Sequence, residues 1–394
     1  MPTVTDHPSV LSDEMLARFA TRATTYDREN RFFTEDFEEL RQAGYLLMAV
    51  PRELGGLGLN LLEGCREQRR LAYYAPATAL AVNMHLEATA MAADLYRAGD
   101  TSCTWLLEEA VRGEVFALGR SEVGNDMPLL YSTTRAEPVE DGYRFYGHKI
   151  FGSLTPVWTR LGIYGQDNTD PAHPKMVHAF MPRDTLGYTI KETWDTLGMR
   201  ATRSDDTLLE GAFVPHRYIV RVLPPGLAGA DLCVLAIFAW AEPTFGTIYL
   251  GLAERARDLA VVAAKRRTSV AFGGRAMAYN PMVQYAAAEM TIALEAAIAT
   301  IERVAQDWST GVDHGGAWPS KLVAAKYIAV EAAQKVVDLA MDMSGGAGFF
   351  RTNELERLYR DVRAGKLHPA NASLAHEMIG KTTLGILGEE PRWG

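Results

Sequence analysis

Glu242 and His368 are the two residues of this 394-residue chain whose types and settings best suit proton transfer. Glu242 directly precedes Pro243, so the local sequence predicts a helix-capping carboxylate with the proline at the first helical position. The helix dipole would lower the pKa of this carboxyl group, whereas burial would raise it towards the range that a general base needs. His368 stands in the segment KLHP, either as a surface histidine of a loop or as a proton donor. Both alternatives stay open for each residue.

The composition excludes several classes of function. The chain is 48% hydrophobic and 23% charged, which is ordinary for a soluble globular protein of two or three domains. A net charge of −9 argues against nucleic acids and anionic membranes as partners, because both bind clustered Lys and Arg. Cys65, Cys103 and Cys233 are too far apart in sequence to predict a disulfide framework or a zinc site. No HExxH, GxSxG or P-loop motif occurs, so metalloprotease, serine hydrolase and nucleotide-hydrolase chemistry lack support.

The N-terminal segment and the apolar windows predict where the protein resides. The first residues are polar and acidic, whereas a signal peptide needs a basic start followed by an apolar run. We find no apolar window that approaches the ~20 residues of a membrane span. The sequence therefore predicts a cytoplasmic protein.

The pattern of apolar residues predicts three domains. Helical spacing prevails at first, which predicts an N-terminal helical domain over residues 1–115. Short segments rich in Thr, Tyr, Val and Phe predict a middle antiparallel β domain over residues 116–222. Long segments rich in Ala and Leu predict a C-terminal helical domain over residues 223–394.

Proline, serine and glycine residues predict the ends of the C-terminal helices. Pro243, Pro281 and Ser320 stand at plausible helix starts. Gly345 and Gly346 stand at the stop of the last long helix.

Three motifs in this order resemble those of acyl-CoA dehydrogenases. VPRELGGLG at residues 50–58 resembles the family's VPEEYGGLG, and WDTLGMRATRSDDTLLEGAFVP at 194–215 resembles its LGxRxSxT and VxVP stretch. SGGAGF at 344–349, followed by ERLYRD at 356–361, resembles its GGxGF and RD ending. The resemblance covers nearly the whole chain and implies an α+β fold with a four-helix-bundle-like C-terminal domain. It further implies an FAD-dependent oxidoreductase acting on an acyl thioester, an electron-transfer flavoprotein or similar acceptor, and a homodimer or homotetramer.

The resemblance assigns flavin contacts to the β domain. SEVGND at Ser121–Asp126 stands where the family has a TEPGAGSD-like loop, which implies that Ser121 donates to the flavin pyrimidine edge. GHKIFGS resembles the family's GxKxWIT-like strand, which implies that Phe151 lies against the isoalloxazine and Ser153 lies near N5 as a donor. From the local sequence alone, Phe151 is an inward-facing strand residue and the serines are turn caps.

A further segment resembles the family's contacts to the FAD pyrophosphate. KRRTSVAFG resembles the RKTFG segment, which implies that Arg266 and Thr268 reach the dinucleotide of a partner subunit. Alternatively, Arg266 only neutralises the carboxyl end of a helix.

Three more positions belong to the same implied cofactor site. Gln284 matches the family's dinucleotide-contacting glutamine, and Gly345 and Gly346 match its glycine pair. Asp342 stands where the family has another Gln, and an acid is unfavourable near a phosphate.

The family's catalytic carboxylate has no direct counterpart, because Pro369 stands in its place. Some family members carry the Glu on the first helix of the C-terminal bundle, where Glu242 lies one residue from the matching position, Ala241. Flavin monooxygenases on this fold, such as those acting on dibenzothiophene, carry an active-site His in an LHDP-like segment, which KLHP resembles. This implies a role for His368 in donating to a flavin hydroperoxide.

Three hypotheses follow, in this order of preference. The first is an FAD-dependent dehydrogenase of acyl-CoA or acyl carrier protein that forms an α,β double bond with Glu242 as base; the retained RRT segment favours it. The second is a two-component flavin monooxygenase using His368 and O₂, which the loss of the carboxylate favours. The third is an inactive flavin-binding subunit that needs a partner, which the mismatches at Pro369, Asp342 and Ser269 favour.

Overall fold

In chain order, a sheet follows one helical region and precedes another in the computed structural model, which describes residues 9–125, 130–226 and 231–386. The N-terminal helices are α1 (Asp13–Glu29), α2 (Thr34–Gln42), α3 (Leu61–Tyr74), α4 (Pro76–Arg97) and α5 (Thr104–Val111). The strands of the main sheet are β1 (Phe116–Leu118), β2 (Ser121–Glu122), β3 (Arg135–Val139), β4 (Gly142–Gly152), β5 (Arg160–Asp167), β6 (Lys175–Pro182), β7 (Tyr188–Lys191), β8 (Asp205–Pro215) and β9 (Ile219–Leu223). The C-terminal elements are α6 (Leu232–Arg266), β10 (Thr268–Ser269), β11 (Arg275–Ala276), α7 (Pro281–Ser309), α8 (Trp318–Ser344), α9 (Glu354–Val362) and α10 (Ala372–Leu384). This order of helical, sheet and helical regions confirms the fold class expected from the sequence.

The sheet is mixed rather than purely antiparallel. Its order is β7-β8-β4-β3-β5-β6-β9, with β1 beside β5 and β2 beside β4. β1 and β3 run parallel to β5, while the remaining pairs are antiparallel. A parallel pair needs a long connection, and the chain between β1 and β5 contains three other strands, which supply it. The expectation of an antiparallel sheet was wrong where β5 pairs with β1 and β3.

The long helix α6 corrects the sequence prediction most strongly. It begins at Leu232 with Asp231 as its cap, well before the predicted start at Pro243. Pro243 lies inside the helix, where a proline lacks the N–H of the helical ladder and ordinarily costs ~3 kcal/mol. Packing of buried residues on all sides offsets this cost, since α6 is covered by α3, α4 and α8. Glu242 therefore lies in mid-helix and is no cap.

The same helix overturns the expectation that no apolar segment is as long as a membrane span. α6 is long and apolar enough to cross a membrane by length and composition, and 89% of its apolar window is buried inside the fold. The expectation that no window approaches the length of a membrane span was wrong.

Three further helix ends test the proline, serine and glycine signals. Pro281 begins α7, as predicted, with Asn280 as its cap. α8 begins at Trp318 rather than at Ser320, because Pro319 already occupies its first turn. Gly345 follows the end of α8 with φ of 61°, which confirms the glycine stop.

Candidate active site

A cavity of about 410 Å³ lies between the end of β4, the loop at 194–204, α4, α6 and the turn at 363–370. Five residues singled out from the sequence line it together: Ser121, Phe151, Ser153, Glu242 and His368. Most of its other walls are apolar, including Leu80, Met84, Leu118, Leu130, Ile237, Phe238 and Leu374. A largely apolar cavity with a few convergent polar groups is the usual form of a small-molecule site.

One face of α6 holds the polar end of the cavity. Glu242, Phe245 and Tyr249 are spaced i, i+3 and i+7, which places them on the same side of the helix. All three are buried, and each contacts the turn that carries His368 or Ala370. The helix therefore positions this turn through three successive contacts.

Glu242 has a buried carboxyl group, and only one of its two oxygen atoms accepts a hydrogen bond. Its Oε1 accepts a hydrogen bond from the Ala370 N–H at 3.1 Å, while Oε2 is covered and has no hydrogen-bond partner among the described residues. Burial raises the pKa of Glu242 to about 7, against the opposing effects of Lys326 and the Ala370 amide. The interpretation as a helix cap was wrong, and burial outweighs any helix-dipole effect.

His368 is part of the cavity wall and not a surface loop residue, so that interpretation was also wrong. Its ring stacks on Phe245 with centroids 4.5 Å apart and planes inclined by 10°. Its Nε2 lies 2.8 Å from the hydroxyl oxygen of Tyr249. Burial, with a smaller contribution from Lys326, lowers the pKa of His368 to about 3. The imidazole is therefore neutral near pH 7.

Lys326 on α8 fixes the same turn from the opposite side. Its Nζ donates to the carbonyl oxygens of His368 at 3.0 Å and Ala370 at 2.8 Å. The residue is only 2% exposed, and burial lowers its pKa while the charge of Glu242 opposes the shift. A cation in this position both holds the turn and acts electrostatically on Glu242.

Phe151 turns out of its strand towards the cavity. Its backbone is left-handed, with φ of 57°, and its side chain is 50% exposed. The ring meets Trp194 edge to face, with centroids 5.8 Å apart. A left-handed residue without glycine's freedom costs ~1 kcal/mol or more and persists where the surroundings impose it. The prediction of an ordinary inward-facing strand residue was wrong.

Ser153 lies at one end of a chain of three hydroxyl groups. Its Oγ lies 2.8 Å from Ser204 Oγ, which lies 2.7 Å from Thr202 Oγ1. Thr202 Oγ1 lies 2.9 Å from the Met199 carbonyl and can donate to it. Either oxygen of each hydroxyl pair can be the donor, so Ser153 can donate to or accept from a group in the cavity. The donor role expected for Ser153 stays a prediction.

Ser121 is held in place by the buried ion pair that follows it. Glu122 pairs with Lys149 and accepts from the Ser132 hydroxyl at 2.7 Å and the Thr133 N–H at 2.8 Å. Although burial opposes ionisation, Lys149 and these hydrogen bonds lower the pKa of Glu122 to about 2. This network anchors the start of the SEVGND loop, whose last residue, Asp126, lies outside the described residues.

A second buried ion pair lines the cavity and was not foreseen from the sequence. Arg120 donates to Glu87, which is 2% exposed on α4. Burial raises the pKa of Glu87 while Arg120 opposes the shift.

The remaining predicted cofactor residues lie away from the cavity lining. Arg266, Thr268, Gln284 and Gly346 are exposed, and Gly345 is half-buried. Arg267, next to Arg266, donates to the Ser344 carbonyl at 2.6 Å, so the RRT segment and the glycine pair are neighbours. Within one chain they form a surface that is separate from the residues around His368.

Two family models match this chain. Residues 11–103 match the acyl-CoA dehydrogenase N-terminal domain, and residues 233–368 match the acyl-CoA dehydrogenase C-terminal domain. The chain is also 30% identical to the putative acyl-CoA dehydrogenase YdbM of Bacillus subtilis, covering 92% of this chain and 93% of that protein. The chain belongs to the acyl-CoA dehydrogenase superfamily.

Other similar members of the superfamily include nitrososynthases. The chain is 28% identical to the amino sugar nitrososynthase DnmZ of Streptomyces peucetius, over 98% of this chain and 99% of that protein. The structure of KijD3 in complex with FMN and a dTDP-linked amino keto sugar superimposes with a TM-score of 0.82 at 26% identity. It covers 97% of this chain and 93% of KijD3. The chain is thus a flavoenzyme of the acyl-CoA dehydrogenase fold.

The cavity of this superfamily member suits a flavin ring. An isoalloxazine needs an aromatic surface beside its face and hydrogen-bonding groups along its edge. Phe151 and Trp194 supply the aromatic surface, and Ser121 and Ser153 supply the hydroxyl groups. Phe151 is the clearest sign: an irregularity in the pairing of β4 with β8 between Lys149 and Gly152 turns its half-exposed ring into the cavity lining.

Lys326 and Glu87 are the functional candidates that sequence reasoning missed. Lys326 shares a helix face with the buried Val323 and Val330, so its charge falls at a core position of an apolar helix. Glu87 likewise stands in a helix of small and apolar residues. A single charged residue on an otherwise apolar helix face was the sequence feature that could have identified both Lys326 and Glu87.

Proposed function

We propose that this protein is a flavin-dependent monooxygenase in which His368 is the polar residue that faces the reacting atoms. The main observation behind this proposal is the contrast between His368 and Glu242, which line the same cavity. His368 is a neutral, partly exposed imidazole of the cavity wall, whereas both oxygens of Glu242 are engaged or covered. A base that abstracts a substrate proton needs a reachable oxygen atom. The full-length similarity to DnmZ supports the same choice.

The cavity walls indicate the kind of substrate. Aliphatic and aromatic side chains form most of the lining, so the free energy of transfer from water into the cavity would be most favourable for a compact and largely apolar molecule. The charged pair of Arg120 and Glu87 neutralises itself, which leaves His368 and the hydroxyl groups to orient the substrate.

The chain's own residues would prepare the site for a bound flavin. A reduced flavin, when bound, supplies the electrons that activate O₂. Phe151 would support the ring face, Ser121 the pyrimidine edge, and Ser153 would hydrogen-bond the ring edge.

We propose FMN as the flavin, supplied in reduced form by a separate reductase. The acidic Asp342 is exposed near the end of α8, beside the implied dinucleotide contacts Arg266 and Thr268, and an acid there disfavours a pyrophosphate. FMN lacks the adenine nucleotide that these residues would hold. Chromatography of the flavin released by denaturation distinguishes FMN from FAD.

Mixing the reduced flavin-loaded protein with O₂ tests the function. The proposal expects a transient species whose absorbance is that of neither reduced nor oxidised flavin, followed by ¹⁸O incorporation from ¹⁸O₂ into an added substrate. Reoxidation in one step, with ¹⁸O found only in peroxide and water for every amine, thioether and aromatic compound tried, would contradict it.

A second candidate is the FAD-dependent acyl-thioester dehydrogenase with Glu242 as base and an electron-transfer flavoprotein as acceptor. The observation in its favour is that burial brings the pKa of Glu242 to about 7, which suits a general base. It requires the substrate to reach Oε2, which is covered and has no hydrogen-bond partner among the described residues. Anaerobic bleaching of the flavin by acyl-CoA, lost in Glu242→Gln, would support this candidate against the monooxygenase.

We also propose a homodimer or homotetramer. Val270, Phe349 and Phe350 are 98%, 83% and 67% exposed on the surface that carries the RRT segment and the glycine pair. Exposed apolar clusters of this kind are typical of protein interfaces. Sedimentation of the wild type against Val270→Asp/Phe349→Asp tests this proposal, with a monomeric double variant as the expected result and an unchanged assembly as the contradicting one.

A further inference from the structure

Tyr249 makes a single hydrogen bond, and its geometry limits where the protons can be. The side chain is fully buried, and its hydroxyl oxygen lies 2.8 Å from Nε2 of His368. No other hydrogen-bond partner of this hydroxyl occurs in the described part of the chain. Burial raises the pKa of Tyr249 well above its ordinary value, so the phenol keeps its hydrogen.

Two arrangements of the hydrogen atoms are conceivable, and they differ in cost. If Nε2–H donated to the tyrosine oxygen, the phenolic hydrogen would be buried without an acceptor, which costs ~1–3 kcal/mol. If Tyr249 donates to Nε2, the buried phenolic hydrogen has an acceptor and this cost does not arise. A neutral imidazole carries one hydrogen, which must then sit on Nδ1.

We propose that Tyr249 is a positioning residue that fixes His368 as the Nδ1–H tautomer and so creates a hydrogen-bond donor subsite in the cavity. Nδ1 is the ring nitrogen left for a ligand, because it has no hydrogen-bond partner among the described residues and His368 lines the cavity. The group that binds there must be an acceptor with a lone pair, such as an oxygen atom of the substrate or of activated O₂. This assignment of chemical class rests on the proposed function, whereas the tautomer itself does not.

The surroundings hold the ring in the orientation that this role needs. Phe245 fixes the ring plane from one side, and Lys326 holds the His368 carbonyl at 3.0 Å. Gly365 lets the turn approach Tyr249 closely, since a Cβ there would lie 3.2 Å from Tyr249 Cδ2 and 3.1 Å from Val330 Cγ1. The ring can neither tilt away from Tyr249 nor rotate freely.

Nitrogen NMR on the full-length protein labelled with ¹⁵N-histidine tests the proposal. Long-range ¹H–¹⁵N correlations report which ring nitrogen carries the hydrogen, and the signals of His368 are those missing from His368→Asn. We expect a protonated Nδ1 and an unprotonated, hydrogen-bonded Nε2 in the wild type near pH 7. In Tyr249→Phe, which keeps the ring volume, we expect this single-tautomer pattern to be lost as the Nε2–H form becomes populated.

A matched control separates the effect of one hydroxyl from a general loss of packing. Tyr45 is also fully buried, and its hydroxyl donates to Gln68 at 2.8 Å on the N-terminal side of the molecule. Tyr45→Phe should leave the His368 signals unchanged. A wild-type His368 with its hydrogen on Nε2, or identical His368 signals in Tyr249→Phe and the wild type, would overturn the proposal.

The outcomes also distinguish this proposal from the proposed function. An Nδ1–H tautomer together with no oxygenated product leaves the Tyr249 assignment intact and removes the monooxygenase. An Nε2–H tautomer together with ¹⁸O incorporation removes the Tyr249 assignment and leaves the monooxygenase proposal intact.

Discussion

His368 and Phe245 stack nearly face to face, with ring centroids 4.5 Å apart and an interplanar angle of 10°. Phe245→Leu keeps most of the buried volume but removes the flat partner. We expect it to cost about 1–2 kcal/mol of unfolding free energy, measured in urea, and to lower oxygenation turnover at least ~10-fold because the imidazole is no longer fixed. Phe145, fully buried in the sheet, provides the control: Phe145→Leu should cost similar stability without an equal loss of turnover. Equal turnover losses in both variants would contradict a specific role for the stack.

Glu242 should make the stability of the wild type depend on pH. Its pKa is raised from 4.5 to about 7 in the folded chain, so the folded state binds this proton more tightly than the unfolded state. Between these two pH values the wild type therefore loses stability as pH rises, by an amount on the order of 3 kcal/mol. Glu242→Gln keeps an acceptor for the Ala370 amide but cannot ionise, so its stability should change less over this window. Urea unfolding at several pH values checks this; parallel curves for the two proteins would refute it.

Lys326 should hold the turn that carries His368. Lys326→Met leaves the carbonyl groups of His368 and Ala370 without their donor, which costs ~1–3 kcal/mol for buried groups. We expect faster amide hydrogen exchange around residues 363–370 in this variant. Lys335→Met on the same helix removes only a surface ion pair with Glu289 and should stay within about 0.5 kcal/mol of the wild type. Unchanged exchange in Lys326→Met would show that the turn is held by other contacts.

Phe151 should contribute to flavin affinity. Phe151→Ala removes the aromatic surface of a side chain that is 50% exposed and leaves the left-handed backbone as it is, because alanine keeps its Cβ, so folding should change little. We expect flavin binding, followed by fluorescence quenching, to weaken about 10-fold, as expected for ~1–1.5 kcal/mol of ring stacking. Phe350→Ala, at an exposed site outside the cavity lining, should bind flavin like the wild type. Equal affinities in both variants would remove Phe151 from the binding site.

The sequence predicted the fold class well because its signals were local. Helical periodicity, strand composition and the glycine stop at Gly345 depend on neighbouring residues and were confirmed. The start of α6 was missed because Pro243 is a strong local signal that tertiary packing overrode. The parallel pairing of β1 with β5 was missed because register between distant strands leaves no local trace.

The site was only partly predictable for the same reason. Glu242 and His368 were singled out by type and position, and the cavity brings them together. The sequence did not reveal that Glu242 is covered, because this depends on Ala370 and on the fold around it. The hydrogen bonding of Ser153 likewise depends on the hydroxyl groups of Ser204 and Thr202, which are distant in sequence.

The reaction of the reduced, flavin-loaded protein with O₂ tests the central claim most directly. Stopped-flow absorbance of the wild type should show a transient species distinct from reduced and oxidised flavin, and His368→Asn should shorten its lifetime at least ~10-fold, which corresponds to ~1.4 kcal/mol of lost stabilisation. Glu242→Gln should leave that lifetime within about threefold of the wild type. Direct one-step reoxidation in the wild type, together with anaerobic bleaching by acyl-CoA that requires Glu242, would contradict the account.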